Sequence, residues 1–211
     1  MANKLKSVIF DFDGVIASTF EMCRSLTKEF DGVALDAEAY KEFFDGNVLD
    51  NGTKRKFISF HDISVKMKFL VEYARRLHDE HLPVPGIKEV IAELAIRHDL
   101  HIVTSGDTKI ISDFLKRHSL REHFGEVLGY DVAHSKVEKF AMLGASGNEA
   151  RNYMYITDTL GDLKEAAKAG LPAIAVTWGF HDEKRLRRGD SLVIVRTPRE
   201  LKQAIDEYHG A

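Results

Sequence analysis

The chain has 211 residues, enough for one α/β domain carrying an insertion or for two small domains. Apolar residues make up 44% and charged residues 30%, and the formal net charge is −3, so no nucleic-acid footprint is expected. No apolar run is long enough to span a bilayer, no signal-peptide core opens the chain, and the one cysteine, Cys23, forms no internal disulfide. A reducing, cytoplasmic setting is the expectation.

In chain order, residues 7–11 read as a first strand: the apolar run Val8 to Phe10 leads into Asp11-Phe12-Asp13-Gly14-Val15. Such a run, closed by a glycine turn, fits a strand buried on both faces of a parallel sheet. From 18 to 30 the spacing is helical, with Phe20, Cys23, Leu26 and Phe30 on one face. Cys23 reads there as a small buried apolar residue, not a nucleophile. Asp36 is placed to cap a second helix through Tyr40 and Phe44. Residues 45–63 read as polar loop and short irregular pieces, with Lys54-Arg55-Lys56 as a solvated face. Ser64 is placed to cap a long helix bearing Val65, Phe69, Tyr73 and Leu77. No strand pattern appears between 16 and 82.

Pro83-Val84-Pro85-Gly86 breaks the chain, and helix and strand then alternate. Helices are expected over 87–97, 108–118 and 163–170, the last stopped by Gly170. Ser135 and Glu138 form a capping box for another, running through Phe140 and Leu143. Thr197-Pro198-Arg199-Glu200 is a capping box for the final helix. Strands are expected over 100–103, 126–129, 153–157, 173–176 and 192–195. The alternation predicts an α/β fold: a Rossmann-like parallel sheet with right-handed crossovers. The helical block interrupts it after the first strand. The expected division is a core domain of residues 1–16 and 83–211 and an inserted small helical cap domain over 17–82. Hinges fall near 16–18 and 82–86.

In an extended strand, residues i and i+2 face the same way, so Asp11 and Asp13 sit together at its C-terminal end. Ligands bind at that end in open α/β sheets. Two carboxylates this close repel unless a cation or a shared proton intervenes, which suggests a Mg2+ site. Polar residues follow at Thr104-Ser105-Gly106, at Lys136, and at Asp158 with Asp162. Each alone is commonplace: Thr and Ser cap helices, a lone Lys is usually solvated, and an acid pair suits a first helical turn. Together they are the parts of phosphoryl transfer: a nucleophile, an acid/base, a metal and positive charge.

With these motifs in order, the chain resembles a haloacid dehalogenase superfamily phosphatase with a helical cap, of the phosphoglycolate phosphatase-like kind. Asp11-Phe12-Asp13-Gly14-Val15 is similar to the first motif, Val103-Thr104-Ser105-Gly106 to the second, Lys136 to the third and Asp158-Thr159-Leu160-Gly161-Asp162 to the fourth. The similarity extends to Pro85-Gly86-Ile87 and to Val176-Thr177-Trp178-Gly179, and covers about residues 5–15 and 83–208. It implies that Asp11 attacks phosphorus to form an aspartyl-phosphate and that Asp13 is the acid/base. It implies Mg2+ held by Asp11, Asp158 and the backbone carbonyl of Asp13, with Asp162 supporting the metal or Lys136. Thr104 and the N–H groups of Ser105 and Gly106 would take the phosphoryl oxygens, and Lys136 would balance the charge. Asp13 favours C–O–P over carbon–halogen chemistry.

Two departures stand out: Lys136-Val137-Glu138-Lys139 lacks the usual prolines, leaving Lys139 as a competitor for Lys136, and Thr157 stands where glycine often precedes the fourth motif. The implied partner is a small phosphorylated metabolite, with no nucleic acid or membrane, and the chain is expected as a monomer or homodimer. A sugar phosphomutase and a non-catalytic phosphoryl-binding or regulatory domain stay open as alternatives. The Asp-x-Asp pair, the long insertion and the pair Asp158/Asp162 speak against a receiver domain. Trp178 is expected below the crevice, the ten histidines lack metal-ligand spacing, and Lys184-Arg185 and Arg187-Arg188 read as solvated.

Overall fold

The computed structural model of the chain describes residues 7–210. The strands are β1 (Ser7–Phe10), β2 (Asp99–Val103), β3 (Phe124–Leu128), β4 (Tyr153–Thr157), β5 (Ala173–Val176) and β6 (Val193–Val195). They form one all-parallel sheet in the order β3-β2-β1-β4-β5-β6. β1 is central: Ser7 pairs with Asp99 on one side and Tyr153 on the other, and Phe10 with Ile102 and Ile156. All four of its residues are buried, as an uninterrupted apolar run requires.

Five helices lie between β1 and Pro83: α1 (Phe20–Asp31), α2 (Ala37–Glu42), α3 (Val48–Lys54), α4 (Ile58–His61) and α5 (Ile63–Glu80). The others are α6 (Ile87–Ala95), α7 (Thr108–Arg117), α8 (Lys136–Met142), α9 (Leu160–Ala169), α10 (Glu183–Leu186) and α11 (Pro198–Gly210). The two sheet faces follow from the period of two. Val8 and Phe10 join one buried cluster with α6, α7 and α11, which continues into Met22, Leu26, Tyr73 and Leu77 of the helical insertion. Ile9 joins the opposite cluster, with Tyr155, Phe140 of α8 and Leu163 of α9. The segments that leave and re-enter the sheet meet each other: Ala17 bridges both Asp13 and Pro83, and the Val84 N–H donates to the Ile16 carbonyl at 2.8 Å.

The structure corrects several sequence expectations. Residues 45–63 are not irregular, because they hold α3 and α4. Asn47 caps α3 by accepting from the N–H groups of Leu49 and Asp50, and Phe57 and Phe60 pack on Phe43. Helices this short show less than one full period of apolar residues, so periodicity misses them. The cap of α5 is Asp62 rather than Ser64: its Oδ1 accepts from the Ser64 and Val65 N–H groups. At α11 the box is split. The Glu200 N–H donates to Thr197, whereas the Glu200 carboxylate accepts from the Arg196 N–H. The capping box at Ser135 and Glu138 is complete, and Gly170 ends α9 with a left-handed φ of 70°. Among the described residues no helix is long and apolar enough to cross a membrane.

Candidate active site

Asp11, Thr104 and Asp158 each stand just past the C-terminal end of a strand, on β1, β2 and β4 respectively. These strands are neighbours, and strand order reverses there, which is where open α/β sheets bind ligands. The turn after Asp11 is tight: the N–H groups of Val15, Ile16 and Ala17 all donate to the Phe12 carbonyl. Gly14 holds a φ of +77° in it, and a Cβ there would lie 1.9 Å from Oδ2 of Asp158. Only a residue without a side chain lets this turn press against that carboxylate.

Lys136, at the first position of α8, reaches across the sheet. Its Nζ donates to Oδ2 of Asp11 at 2.7 Å, to Oδ2 of Asp162 at 2.7 Å and to the Tyr155 hydroxyl at 2.8 Å. Thr157 adds a hydroxyl to Oδ2 of Asp162 at 2.9 Å. The Lys136 N–H is itself anchored, donating to Oε1 of Glu165 at 3.0 Å. Burial alone would lower the ammonium's proton affinity, but Asp11 and Asp162 outweigh it and raise it. Burial likewise opposes the charge on Asp162, yet Lys136 and the hydrogen bonds hold that carboxyl down to about 2. Asp11 is raised well above the ordinary carboxylate range by burial, against the pull of Lys136. Lys139 goes elsewhere: its buried Nζ donates to the Thr104 carbonyl at 2.6 Å. Burial, then repulsion from Lys136, lowers it to about 8.

Asp13 faces the insertion. Its Oδ1 accepts from the Thr19 hydroxyl and from the Tyr73 phenol, each at 2.7 Å. Burial raises its carboxyl, against those two hydrogen bonds. In the second motif the Thr104 hydroxyl accepts from the Gly106 N–H at 3.0 Å, which leaves its own proton to donate elsewhere. Cys23 is not sealed in a helix core. It is half-buried and lines the cavity above Asp13, and burial, with Asp13 next, raises its thiol well above the usual range. Such a thiol stays protonated and is a poor nucleophile.

Asp158 bears on whether a cation fits. Its Oδ2 accepts from the Phe180 N–H at 2.6 Å, while its buried Oδ1 has no hydrogen-bond partner among the described residues. Burial pushes the carboxyl up to about 7. An orphaned buried carboxylate oxygen beside Asp11 is the donor a hard cation takes. Among the described residues no three acidic, His or Cys side chains converge as a cage. Mg2+ needs none, since it binds through one or two carboxylates and keeps several waters.

The insertion is fastened over this site. The Gly161 N–H donates to the Phe44 carbonyl at 2.8 Å, and Asn47 Nδ2 donates to both oxygens of Glu165 at 3.2 Å. His181 accepts the Leu160 N–H at Nδ1, at 2.9 Å, and its Nε2 lies 2.9 Å from the Lys41 carbonyl. A carbonyl only accepts, so the proton is on Nε2. Arg185 and Arg188 are not merely solvated: they reach Asp45 at 2.9 and 3.2 Å, and Arg185 also reaches Glu38 at 3.3 Å. Lys54, Arg55 and Lys56 are exposed. Trp178 sits by the exit of the first turn, its Nε1 donating to the Val15 carbonyl at 3.1 Å. Between insertion and sheet lies a cavity of about 220 Å³, lined by Asp11, Asp13, Thr104, Ser105, Gly106 and Lys136 at its sheet end.

Missing from the sequence reading were Thr19, Tyr73, Tyr155, Glu165 and Asn47. Tyr73 and Tyr155 sit where an apolar residue also satisfies the pattern, so their hydroxyls carried no signal.

A doubly wound parallel sheet with lysine-bridged carboxylates at its order reversal is the architecture of an α/β protein whose ligand site lies at the switch point. The chain belongs to the haloacid dehalogenase-like hydrolases, whose family model matches residues 8–176. It is 27% identical over 214 residues to a phosphoglycolate phosphatase of Synechococcus elongatus, spanning 96% of this chain and 98% of that one. Among solved structures, a hydrolase from Pseudomonas syringae superposes with a TM-score of 0.77 at 19% identity, covering 96% of this chain and 98% of that one. CbbY from Rhodobacter sphaeroides, solved in complex with phosphate, gives 0.73 at 19% identity, covering 93% and 96%.

Proposed function

We propose that this hydrolase is a Mg2+-dependent phosphomonoester hydrolase that acts on a small phosphorylated metabolite through an aspartyl-phosphate on Asp11. The observation that carries the reading is the Lys136 ammonium, 2.7 Å from both Asp11 and Asp162. It sets a compensated carboxylate at the mouth of the switch point. The name phosphatase on the Synechococcus relative supports the same chemistry.

In this reading an Asp11 carboxylate oxygen forms a bond to phosphorus as the bond to the alkoxide oxygen breaks. Asp13 gives its proton to that oxygen, so the alcohol leaves neutral. Asp13 then takes a proton from water as the water oxygen bonds to phosphorus. The Asp11–phosphorus bond breaks, inorganic phosphate departs, and both aspartates return to their starting states. The Thr104 hydroxyl donates to a phosphoryl oxygen, with the Ser105 and Gly106 backbone beside it. Lys136 opposes the effect of burial on Asp11 and orients it, and Asp162 holds Lys136. The Asp11 and Asp158 carboxylates and the Asp13 carbonyl would hold Mg2+. When bound, that cation supplies the positive charge that lets an anionic nucleophile approach an anionic phosphate. Residues 17–82 act as a cap over a core of 1–16 and 83–211, excluding bulk water when seated. A reducing, cytoplasmic setting, suggested by the single cysteine, and a monomeric or homodimeric state belong to the same proposal.

The test is phosphate release from an aryl phosphate, with and without Mg2+, by the wild type and Asp11→Asn. Turnover that needs both the metal and Asp11 is the expected result. Metal-independent release, or release that survives Asp11→Asn, would refute the mechanism. Trapping with beryllofluoride reports the aspartate's competence directly.

A further inference from the structure

The far end of the cavity is unlike the sheet end. It is built by the insertion, and its walls are rings: Tyr40, Phe43, Phe44, Phe57, Phe60 and Phe69. The rings brace one another. Phe43 lies nearly parallel to Phe57, with centroids 5.2 Å apart at 25°, and edge-on to Phe44 at 5.2 Å and 88°. Asp31 joins this wall, its carboxylate fixed by the Ser59 N–H at 2.7 Å and the Ser59 hydroxyl at 3.0 Å.

Among the lining residues only Lys66 and Lys136 are cationic. Lys136 is committed to Asp11 and Asp162. The Lys66 ammonium stands 4.0 Å over the ring of Tyr130, whose N–H donates to the Gly106 carbonyl. An anionic group carried past Lys66 into the ring-lined end would press against aromatic rings and the Asp31 carboxylate. Burying an unpaired charge there is strongly unfavourable. A flat, neutral ring would instead meet ring faces and edges on several sides. The volume of about 220 Å³ sits below the roughly 300–1,000 Å³ of drug-sized ligands, so one ring and a phosphate is the scale that fits.

We infer that the substrate is the phosphomonoester of a small alcohol carrying an aromatic ring, with no anionic group at the ring end. This rests on the phosphatase reading above and names its substrate class. It also sets this chain apart from the activity in its Synechococcus relative's name.

The test compares benzyl phosphate, methyl phosphate and 2-phosphoglycolate, all of which release an alkoxide oxygen, on the full chain with Mg2+. The kcat/KM for benzyl phosphate is expected to exceed both others by about tenfold or more. Phe69→Ala, at a half-buried wall position, should bring the benzyl-to-methyl ratio toward one. A separate measurement needs no turnover: calorimetric affinities of the same three esters for Asp11→Asn. Benzyl phosphate binding more tightly than phosphoglycolate upholds the substrate class even where hydrolysis is absent, and that absence then counts against the phosphatase reading alone. Equal or reversed order, in kcat/KM or in affinity, overturns the inference while leaving Asp11-dependent hydrolysis intact.

Discussion

The phenol of Tyr73 donates a 2.7 Å hydrogen bond to Oδ1 of Asp13, across 60 residues of chain. The insertion thereby grips the group assigned to proton transfer. Burial, with Asp13 beside it, raises the Tyr73 phenol well above its usual range, so it stays a donor throughout the neutral pH range.

Tyr73→Phe removes that donor and changes little else in volume. A hydrogen bond contributes about 0.5–1.5 kcal/mol, and about 1.5–3 kcal/mol once Asp13 has given up its proton and is charged. The expected result is a kcat on an aryl phosphate lowered by about tenfold or more, with the fold retained by circular dichroism. A kcat equal to wild type, alongside an inactive Asp13→Asn, would show that the tether does not orient the acid.

A second expectation concerns Asp158, whose Oδ1 has no hydrogen-bond partner among the described residues and is proposed to hold the cation. Mg2+ at about a hundredfold above its dissociation constant should stabilise the protein by about 2.7 kcal/mol, some 5–10 °C in melting temperature. Asp158→Asn should lose most of that shift. The same Mg2+ response in both proteins would remove Asp158 from the cation site.

Much of this was legible in the chain. The strand ends at Asp11, Thr104 and Asp158 each follow an apolar run closed by a polar turn, and the sheet brings all three together because those runs are adjacent parallel strands. The helices of the insertion were harder. α3 and α4 owe their existence to Asn47 and to Phe57 and Phe60 packing on Phe43, which are contacts over short spans and not periodic signals. Glu165 is a plain polar position on a helix in sequence. It becomes part of the site only because α8 and α9 lie side by side, so that one carboxylate anchors Lys136 and Asn47 together. No local pattern encodes such a meeting.

Lys139 gives a pH-dependent prediction. Its folded pKa of about 8 lies below the unfolded 10.5. Between these values the unfolded chain binds more protons, so the wild type gains stability as pH rises through that window. Below pH 8 the folded state carries the full penalty, roughly 3 kcal/mol at about 1.36 kcal/mol per unit. Lys139→Met removes the penalty and also the hydrogen bond to Thr104, worth about 1 kcal/mol. A net gain of about 1–2 kcal/mol is expected at pH 7, shrinking through zero between pH 8 and 10.5 as only the lost hydrogen bond remains. Urea melts across that range would refute this if the gain were flat or grew with pH.

Asp45 is the acid of an ion-pair cluster at the rim, with Arg185 and Arg188. Asp45 and Arg185 are half-buried and Arg188 is exposed; surface pairs contribute only about 0.2–1 kcal/mol each, and salt screens them. Asp45→Asn should leave the melting temperature within a degree or two, yet raise KM by about two- to fivefold. Raising ionic strength to about 1 M should do the same to the wild type and little more to the variant. A variant that keeps the full salt response would locate it elsewhere.

Gly161 sits on α9 and would place a Cβ 2.3 Å from the Gly46 carbonyl oxygen and 2.8 Å from that of Phe44. A single methyl group at this point is a doorstop. Alanine suits a helix better than glycine by about 1 kcal/mol, so Gly161→Ala favours α9 itself while wedging the insertion away from the sheet. Robustness and turnover are set against each other at one carbon atom: the chain keeps a weak helical residue because the seam between its two parts is only a hydrogen atom wide.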